Sequence, residues 1–598
     1  MFRTKPVFTV LALAVSSMAF NAQACSTVVV GKDVSATGEI IVGHNEDNDL
    51  RIVTSQYWVP AADHKVGEVI EYEPTTAKIP QVPHTYGFYW TQTLHPDGYS
   101  FSDGFVNEHG LVIVSNNCNE TYETNEKLNE GGVGYGIRRL AAERAKTPRE
   151  AVQVAIDLVT KYGYTSEGRT YTFANKDEAW QIMLLKGHRY IARKVQDNEV
   201  TYIANAFSLD KIDVDAKDVI LSPDLIEHAI QTGHYKPAKE GDYSDFSFRK
   251  SYQPVSRRAA DWNKDRAQTA WEMLMGRETT DQELFPYSVK PVGKLGVADV
   301  QKIISGHWER EDRSSGFFHQ SMRDICNVGT FESVVYEMNA DPLLLRGWKT
   351  SGRPCETPYV PFYPLAKPAA AMSFMSADTA TQEHFHAAPN RFDYKPDFAL
   401  YSFLDVQNLA DYVPQARADL RKAIDAQQDA WMKEGGLVLK TAAYLKKAVS
   451  SAKAEAYLHA YSEQASNTAR ALMTDQFAAM KPLQVVILAD SLSLSSKGTV
   501  DVAVIGTEDV DVSKADQKSF IFGITYPNPD VDLNAKRPHA QKAVVADVNG
   551  DGIKDLVLTF PAAEAATYGF KNVVTDLWLY GTIDGKKTGG FDLVKIVE

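Results

Sequence analysis

The 598-residue sequence predicts an α+β protein in which helices pack on antiparallel sheets, followed by a helical stretch and a small β-rich unit. Three observations carry this. Residues 26–204 run from strand-like segments through helical ones and back to strands. Residues 404–480 are rich in Ala, Lys, Gln and Glu with a 3.6-residue period, the pattern of amphipathic helices. Beyond about residue 482, short β-branched and aromatic runs recur at the spacing of a β-sandwich.

Composition bounds the function. The hydrophobic share of 44% and charged share of 23% are those of a globular protein. A formal net charge of −14 argues against nucleic acid as the main partner. After residue 24 no apolar run approaches the roughly 20 residues that span a bilayer. The first 24 residues read as a secretory signal peptide, with Arg3 and Lys5 ahead of an apolar stretch at 7–20 and a small-x-small cleavage pattern at Ala22-Gln23-Ala24. A lipoprotein signal fits less well, because Ala22 stands where such signals carry Leu. The expectation is export to a periplasmic or extracellular compartment, with Cys25 as the first mature residue.

The elements follow in order. Residues 26–30 are apolar and β-branched, 31–38 supply turn residues, and 39–42 form a second strand, a hairpin that brings 44–47 back beside Cys25. Further strands are expected at 56–59, 69–72, 86–91 and 111–114, the last running into Asn116 and Asn117. One helix is expected at 136–145. Another starts at Thr147, with Pro148 in its first turn and Glu150 closing a capping box. Strands return at 171–174, 179–185, 190–194 and 201–204. A short helix is expected at 299–306, strands at 326–336 and 344–348, and a proline-rich wrap at 354–368. The tail strands are placed at 483–488, 500–505, 520–525, 543–546, 556–560 and 577–582. The division is therefore 1–24 signal peptide, 25–400 layered domain, 401–481 helical segment and 482–598 β domain.

The chemistry centres on Cys25. A thiol attacks as its thiolate and is mostly protonated near neutrality. An N-terminal Cys brings its own base, an α-amine with a reference pKa near 8 placed beside its side chain. Such a site also needs an acid near the amine and hydrogen-bond donors for the oxyanion.

Cys25-Ser26-Thr27, the strand-turn-strand and His44-Asn45-Glu46-Asp47 resemble the dipeptidase A family of N-terminal-nucleophile (Ntn) cysteine hydrolases, relatives of bile salt hydrolases and penicillin V acylases. The resemblance extends through 107–111, 132–145, 177–180, 203–205, 329–333 and Arg353-Pro354-Cys355, most of residues 25–365. It implies a four-layer αββα sandwich and hydrolysis of the peptide bond of dipeptides without a catalytic cofactor. By resemblance, Cys25 is nucleophile and base, Asp47 binds its amine, and Asn117 offers an oxyanion donor. Asn205 is a second donor or amine ligand, Arg257 or Arg258 orients the site, and His44 and Asn45 face substrate. His44 stands where relatives commonly carry Arg, an imidazole in place of a permanent cation. Two other functions fit the same features: another C–N amide hydrolase of the N-acyl or bile-salt type, or an inert secreted binding protein. A homo-oligomer is an open expectation.

Two further features stand apart. Asp547, Asn549, Asp551, Asp555 and the Ile553 carbonyl have the spacing of an oxygen-ligand loop for structural Ca²⁺, against the plain reading of an ion-free turn. Of the cysteines, Cys326 and Cys355 form a candidate disulfide, with buried thiols the equal alternative. No His/Cys/Glu cluster shows zinc spacing in the sequence.

Overall fold

A computed structural model describes residues 25–48, 52–73, 76–94, 100–280, 285–310, 316–373, 375–384, 393–524, 537–566 and 572–598. The expected leader, 1–24, lies outside them, as does residue 525 of one expected tail strand.

The expected hairpin forms. β1 (Ser26–Val30) pairs antiparallel with β2 (Ile41–Asp47), Ser26 opposite Asn45 and Thr27 opposite His44. The turn between them holds a 3-10 segment, Lys32–Val34, and Gly38 at φ 77°, a left-handed conformation that costs glycine little. β2 is longer than expected: the stretch 44–47, polar though it is, continues the strand instead of leaving it. Its polar residues are tolerated because strands pair with it on both edges and their side-chain groups find partners.

Two large sheets stack. β3 (Val112–Asn117) sits inside an eight-stranded antiparallel sheet, between the strands Tyr164–Ala174 and Ser100–Asn107. In the seven-stranded sheet β4 (Val200–Ile203) flanks β1, β5 (Thr330–Glu337) flanks β2, and β6 (Arg346–Ser351) lies beyond. Val29 and Val42 of one sheet meet Val112, Val114 and Val106 of the other in a dry core between them. Each such fully buried aliphatic side chain contributes about 1.5–3 kcal/mol.

Helices cover both outer faces. α1 (Ile137–Arg144) and α2 (Pro148–Tyr162) pack their apolar stripe, Val152, Ala155, Ile156 and Val159, on the eight-stranded sheet. Thr147 caps α2 by accepting from the Glu150 amide, as its sequence predicts. α3 (Asp261–Met275) and α4 (Val297–Ile304) cover the seven-stranded sheet through Trp271, Leu274, Val300 and Ile304. Gly43 makes this approach possible, since a Cβ there would lie 2.5 Å from Val300 Cγ1. The layer order is thus helix, sheet, sheet, helix.

The helical stretch resolves into α5 (Ala399–Tyr412), α6 (Pro414–Ala448) and α7 (Ser451–Ala479). It joins the same outer layer: Phe403, Leu420, Ile424, Trp431 and Ala465 bury in the core that covers the seven-stranded sheet. The tail forms two four-stranded sheets around Val502, Phe522, Leu558, Leu579 and Ile596. It rests on the rest of the chain through Trp578 and Tyr580 against Leu409 and Tyr412.

Several segments depart from expectation. The strand expected at 326–336 begins only at Thr330, because residues 326–329 turn to reach other partners. The strand expected at 344–348 starts at Arg346, after a 3-10 turn at Pro342–Leu344. α3 was not anticipated. It buries Asn263, Asp265, Arg266, Gln268 and Thr269, so it has no clean apolar stripe to announce it.

Candidate active site

Strand alternation decides what surrounds Cys25. Successive side chains of β2 point to opposite faces. Val42 lies in the core between the sheets, so His44 and Glu46 share that side. Ile41 lies in the helix-covered core, so Asn45 and Asp47 share the other. All four are essentially inaccessible to solvent.

Between the sheets runs a chain of hydrogen bonds. The Cys25 thiol donates to Glu46 Oε1 at 3.2 Å. Glu46 Oε2 lies 3.0 Å from His44 Nε2, and His44 Nδ1 lies 2.8 Å from Thr27 Oγ1. Thr27 donates to Asn116 Oδ1 at 2.5 Å, while Asn116 Nδ2 donates to the Ile203 carbonyl. A hydroxyl has one proton, and Thr27 gives it to Asn116, so toward His44 it can only accept. Glu46 is ionised and can only accept as well. Both ring nitrogens therefore face acceptors, Glu46 at Nε2 and Thr27 at Nδ1.

On the helix-facing side, the Cys25 backbone nitrogen donates to Asn205 Oδ1 at 2.7 Å, and the Cys25 carbonyl accepts from Arg266 at 3.1 Å. Arg266 also donates to Asn205 Oδ1 at 2.8 Å and stands 3.9 Å from Asp47 Oδ2. Asp47 accepts from Asn327 Nδ2 at 2.6 Å and from Thr330 Oγ1 at 2.5 Å. Asn205 Nδ2 donates to the Asn117 carbonyl at 2.9 Å, tying the two sheets together at the end of β3. Asn117 Oδ1 accepts from the Asn119 amide, which leaves Nδ2 as the donor this side chain can offer.

Burial, then the charges of Glu46 and Asp47, push the Cys25 thiol well up, against the pull of Arg169. Arg169 sits opposite Asn117 in the sheet. Burial raises Asp47 to about 7, although Arg266, Thr330 and Asn327 oppose it. Burial works the same way on Glu46, but His44, Arg138 and Arg169 outweigh it and hold that carboxyl below its ordinary range. The resting thiol is thus neutral, flanked by one firmly ionised carboxylate and one poised near neutrality.

The structure brings Cys25, Asp47, Asn205 and Asn117 into one connected network. Of the two candidate arginines, Arg257 supports Asn205 from behind, donating to its carbonyl at 3.0 Å and pairing with Glu120, while Arg258 donates to the Gln253 carbonyl. Arg266 is the guanidinium that touches Cys25. Asn45 donates to the Ile304 and Ile325 carbonyls and accepts from Ser333, so its amide braces α4 and the segment before β5 on the face away from Glu46. Glu46, Arg266, Asn327 and Thr330 escaped the sequence reading. For Glu46 a signal existed: two residues from His44 in a strand, it had to share that side chain's face.

In the 547–555 loop, Asp547 accepts from the Gly550 and Gly552 amides, Asn549 from Asp551, Asp551 from Ile553, and the buried Asp555 from Val548 and Gly506. These are the self-capping bonds of an Asx-type turn. All four cysteines are free thiols, so Cys326 and Cys355 are not joined. The fold, rather than any spacing in the sequence, gathers His307, His319, Cys326 and Cys355, whose ligand atoms lie within 4.8 Å of one another.

Stacked antiparallel sheets thus hold a buried thiol among amide and carboxylate groups. Residues 24–385 match the model of peptidase family C69, and the chain belongs to that family. It is similar to a probable dipeptidase of Latilactobacillus sakei, 25% identical over 425 residues that make up 67% of this chain and 85% of the relative. A probable dipeptidase B of Streptococcus pyogenes serotype M3 is 23% identical over 367 residues, 57% of this chain and 72% of the relative. Among solved structures, penicillin V acylase from Agrobacterium tumefaciens aligns at 12% identity over 57% of this chain and 85% of its own, with a TM-score of 0.27. A mutant conjugated bile acid hydrolase from Clostridium perfringens aligns at 13% identity over 55% and 89%, with a TM-score of 0.24.

Proposed function

We propose that this peptidase is an exported Ntn dipeptidase whose nucleophile is Cys25, uncovered when residues 1–24 are removed. The observation that carries the reading is the pair of contacts at one residue: the Cys25 nitrogen on Asn205 and its thiol on Glu46. Membership of the peptidase family and the two dipeptidase relatives support hydrolysis of peptide bonds.

The steps follow from the donors and acceptors present. The freed α-amine, held by Asn205, accepts the thiol proton as Sγ bonds to the scissile carbonyl carbon. The carbonyl π electrons move to oxygen, and Asn117 Nδ2 donates to that oxyanion. The Cys25 ammonium returns its proton to the leaving nitrogen as the C–N bond breaks, giving a thioester and a free amine. Water then adds to the thioester carbonyl while the α-amine takes its proton. Sγ leaves as thiolate and is reprotonated, releasing the carboxylic acid.

The test joins mass and kinetics. Intact mass of the purified active enzyme should place its N-terminus at Cys25 with a free amine, and dipeptides should be cleaved far better than N-acyl amides or bile-salt conjugates. A blocked amine in a fully active enzyme, or the reverse substrate order, would sink the proposal. Periplasmic or extracellular residence and self-association belong to the same proposal and are read by fractionation and light scattering. We also propose a structural Ca²⁺ in the 547–555 loop, bound in exchange for the amide bonds Asp547 and Asp551 now accept.

A further inference from the structure

We propose that His307, His319, Cys326 and Cys355 form a structural zinc site. In a tetrahedral site with Zn–N near 2.0–2.1 Å and Zn–S near 2.3 Å, neighbouring ligand atoms stand roughly 3.3 Å apart for N–N and roughly 3.5 Å for N–S. Here the two imidazole Nε2 atoms are 3.2 Å apart, and His319 Nε2 lies 3.3 Å from Cys355 Sγ and 3.9 Å from Cys326 Sγ. The ligand set is already drawn up around one point.

The surroundings match what a metal-bound histidine requires. His319 Nδ1 donates to Asp411 Oδ1 at 2.7 Å, and the same oxygen accepts the His319 backbone amide at 2.9 Å. That fixes the ring and turns the Nε2 lone pair toward the cysteines, the carboxylate–histidine arrangement that orients zinc ligands. Arg353 and Arg417 pair with Asp411 and Glu356 behind it, so the carboxylates are compensated without entering the cluster. His319 and Cys326 are buried. His307 and Cys355 line a cleft of about 1000 Å³ that also includes Trp308, Arg310 and Gln301, which gives an ion its way in.

Binding would leave two thiolates and two neutral imidazoles around Zn²⁺, a set without net charge that suits a buried place, and release whatever protons those ligands held. It would fasten three separate pieces: the exit of α4, the segment leading into β5, and the loop after β6. It would also set the active site. Ile304 and Ile325, whose carbonyls Asn45 holds, neighbour the ligands in sequence, and Asn327, which holds Asp47, directly follows Cys326. The ligands are spread over 49 positions, from His307 to Cys355, which is why no compact motif betrays them.

Purified full-length protein, dialysed against metal-free buffer, should carry one zinc per chain by native mass spectrometry and elemental analysis. Cys326→Ser/Cys355→Ser should lose it, while Cys118→Ser keeps it. Replacing zinc by Co²⁺ should give thiolate-to-metal charge-transfer bands and the intense visible bands of a tetrahedral site. Stripping the wild type with chelator should lower its melting temperature by more than about 5 °C and expose two thiols to maleimide, a readout that stands if the double variant fails to fold. A metal-free protein that binds neither Zn²⁺ nor Co²⁺ overturns the proposal. So does a Cys326–Cys355 disulfide, seen as a mass lower by two hydrogens and a crosslinked peptide. None of these readouts uses peptidase activity, so they stand apart from the function proposed for Cys25.

Discussion

Cys25 and Cys355 lie in one fold, on segments that meet the same seven-stranded sheet, yet their neighbours differ in sign. Around Cys25, burial and the carboxylates Glu46 and Asp47 hold the thiol protonated. Around Cys355, burial pushes the same way, but contact with Cys326 and the imidazoles of His319 and His307 bring the sulfur well below an ordinary thiol. The first setting suits a nucleophile that must acquire its base at the moment of reaction. The second suits a thiolate that stays a thiolate, as a metal ligand does. The lesson is that exposure and residue type say little about a cysteine until the charges facing it are named.

The contrast can be broken at several points. Cys25→Ala should lower kcat by at least about 10³-fold while leaving metal content and melting temperature unchanged, measured on a chromogenic or coupled dipeptide assay. Equal activity in this variant would move the chemistry elsewhere.

Asp47→Asn comes next, with an expected loss of about 10²-fold in kcat/KM and a changed pH profile. The wild type should gain activity as Asp47 ionises near pH 7, and the variant should lack that limb. Stability carries the opposite sign. A carboxyl raised in the folded state is stabilising below its ordinary pKa, and that contribution is lost as pH rises to about 7. Denaturant titrations should show this fall in the wild type and not in Asp47→Asn.

Arg266→Met removes the guanidinium that joins Cys25, Asn205 and Asp47. It should reduce kcat by about 10- to 100-fold and raise the Asp47 limb further, since Arg266 is the main group lowering that carboxyl. Arg257→Met, one step further out, should do less. Asn45→Ala should act on stability, costing about 1–3 kcal/mol by stranding the Ile304 and Ile325 carbonyls. The smallest effect belongs to the 547–555 loop. If calcium occupies it, a chelator selective for calcium should lower the melting of the tail by a few degrees and leave the rate of peptide hydrolysis unchanged.

Much of the frame was legible in the residues. The β1–β2 hairpin, the capped start of α2, the helical stretch and the tail strands all follow from period, turn chemistry and caps. Cys25, Asp47, Asn117 and Asn205 were nominated by resemblance, and the fold connects them. What escaped were groups whose roles come from long-range meetings. Arg266 lies on a helix whose buried face is polar, so hydrophobic periodicity is silent there. Asn327 and Cys326 lie in a turn that reads as the beginning of a strand. His44 and Asn45 do not form one patch, because neighbours in a strand face opposite ways.

The bond from the Cys25 nitrogen to Asn205 bears on the order of events. A peptide nitrogen has one hydrogen, and Asn205 Oδ1 receives it. The cleavage proposed above would add hydrogens and a charge to that nitrogen without asking its partner to move. On the proposed function, the pocket is assembled before it is armed. On the function proposed for Cys25, a precursor folds to its final shape with a silent nucleophile, and the proposed cut is the switch that starts its work.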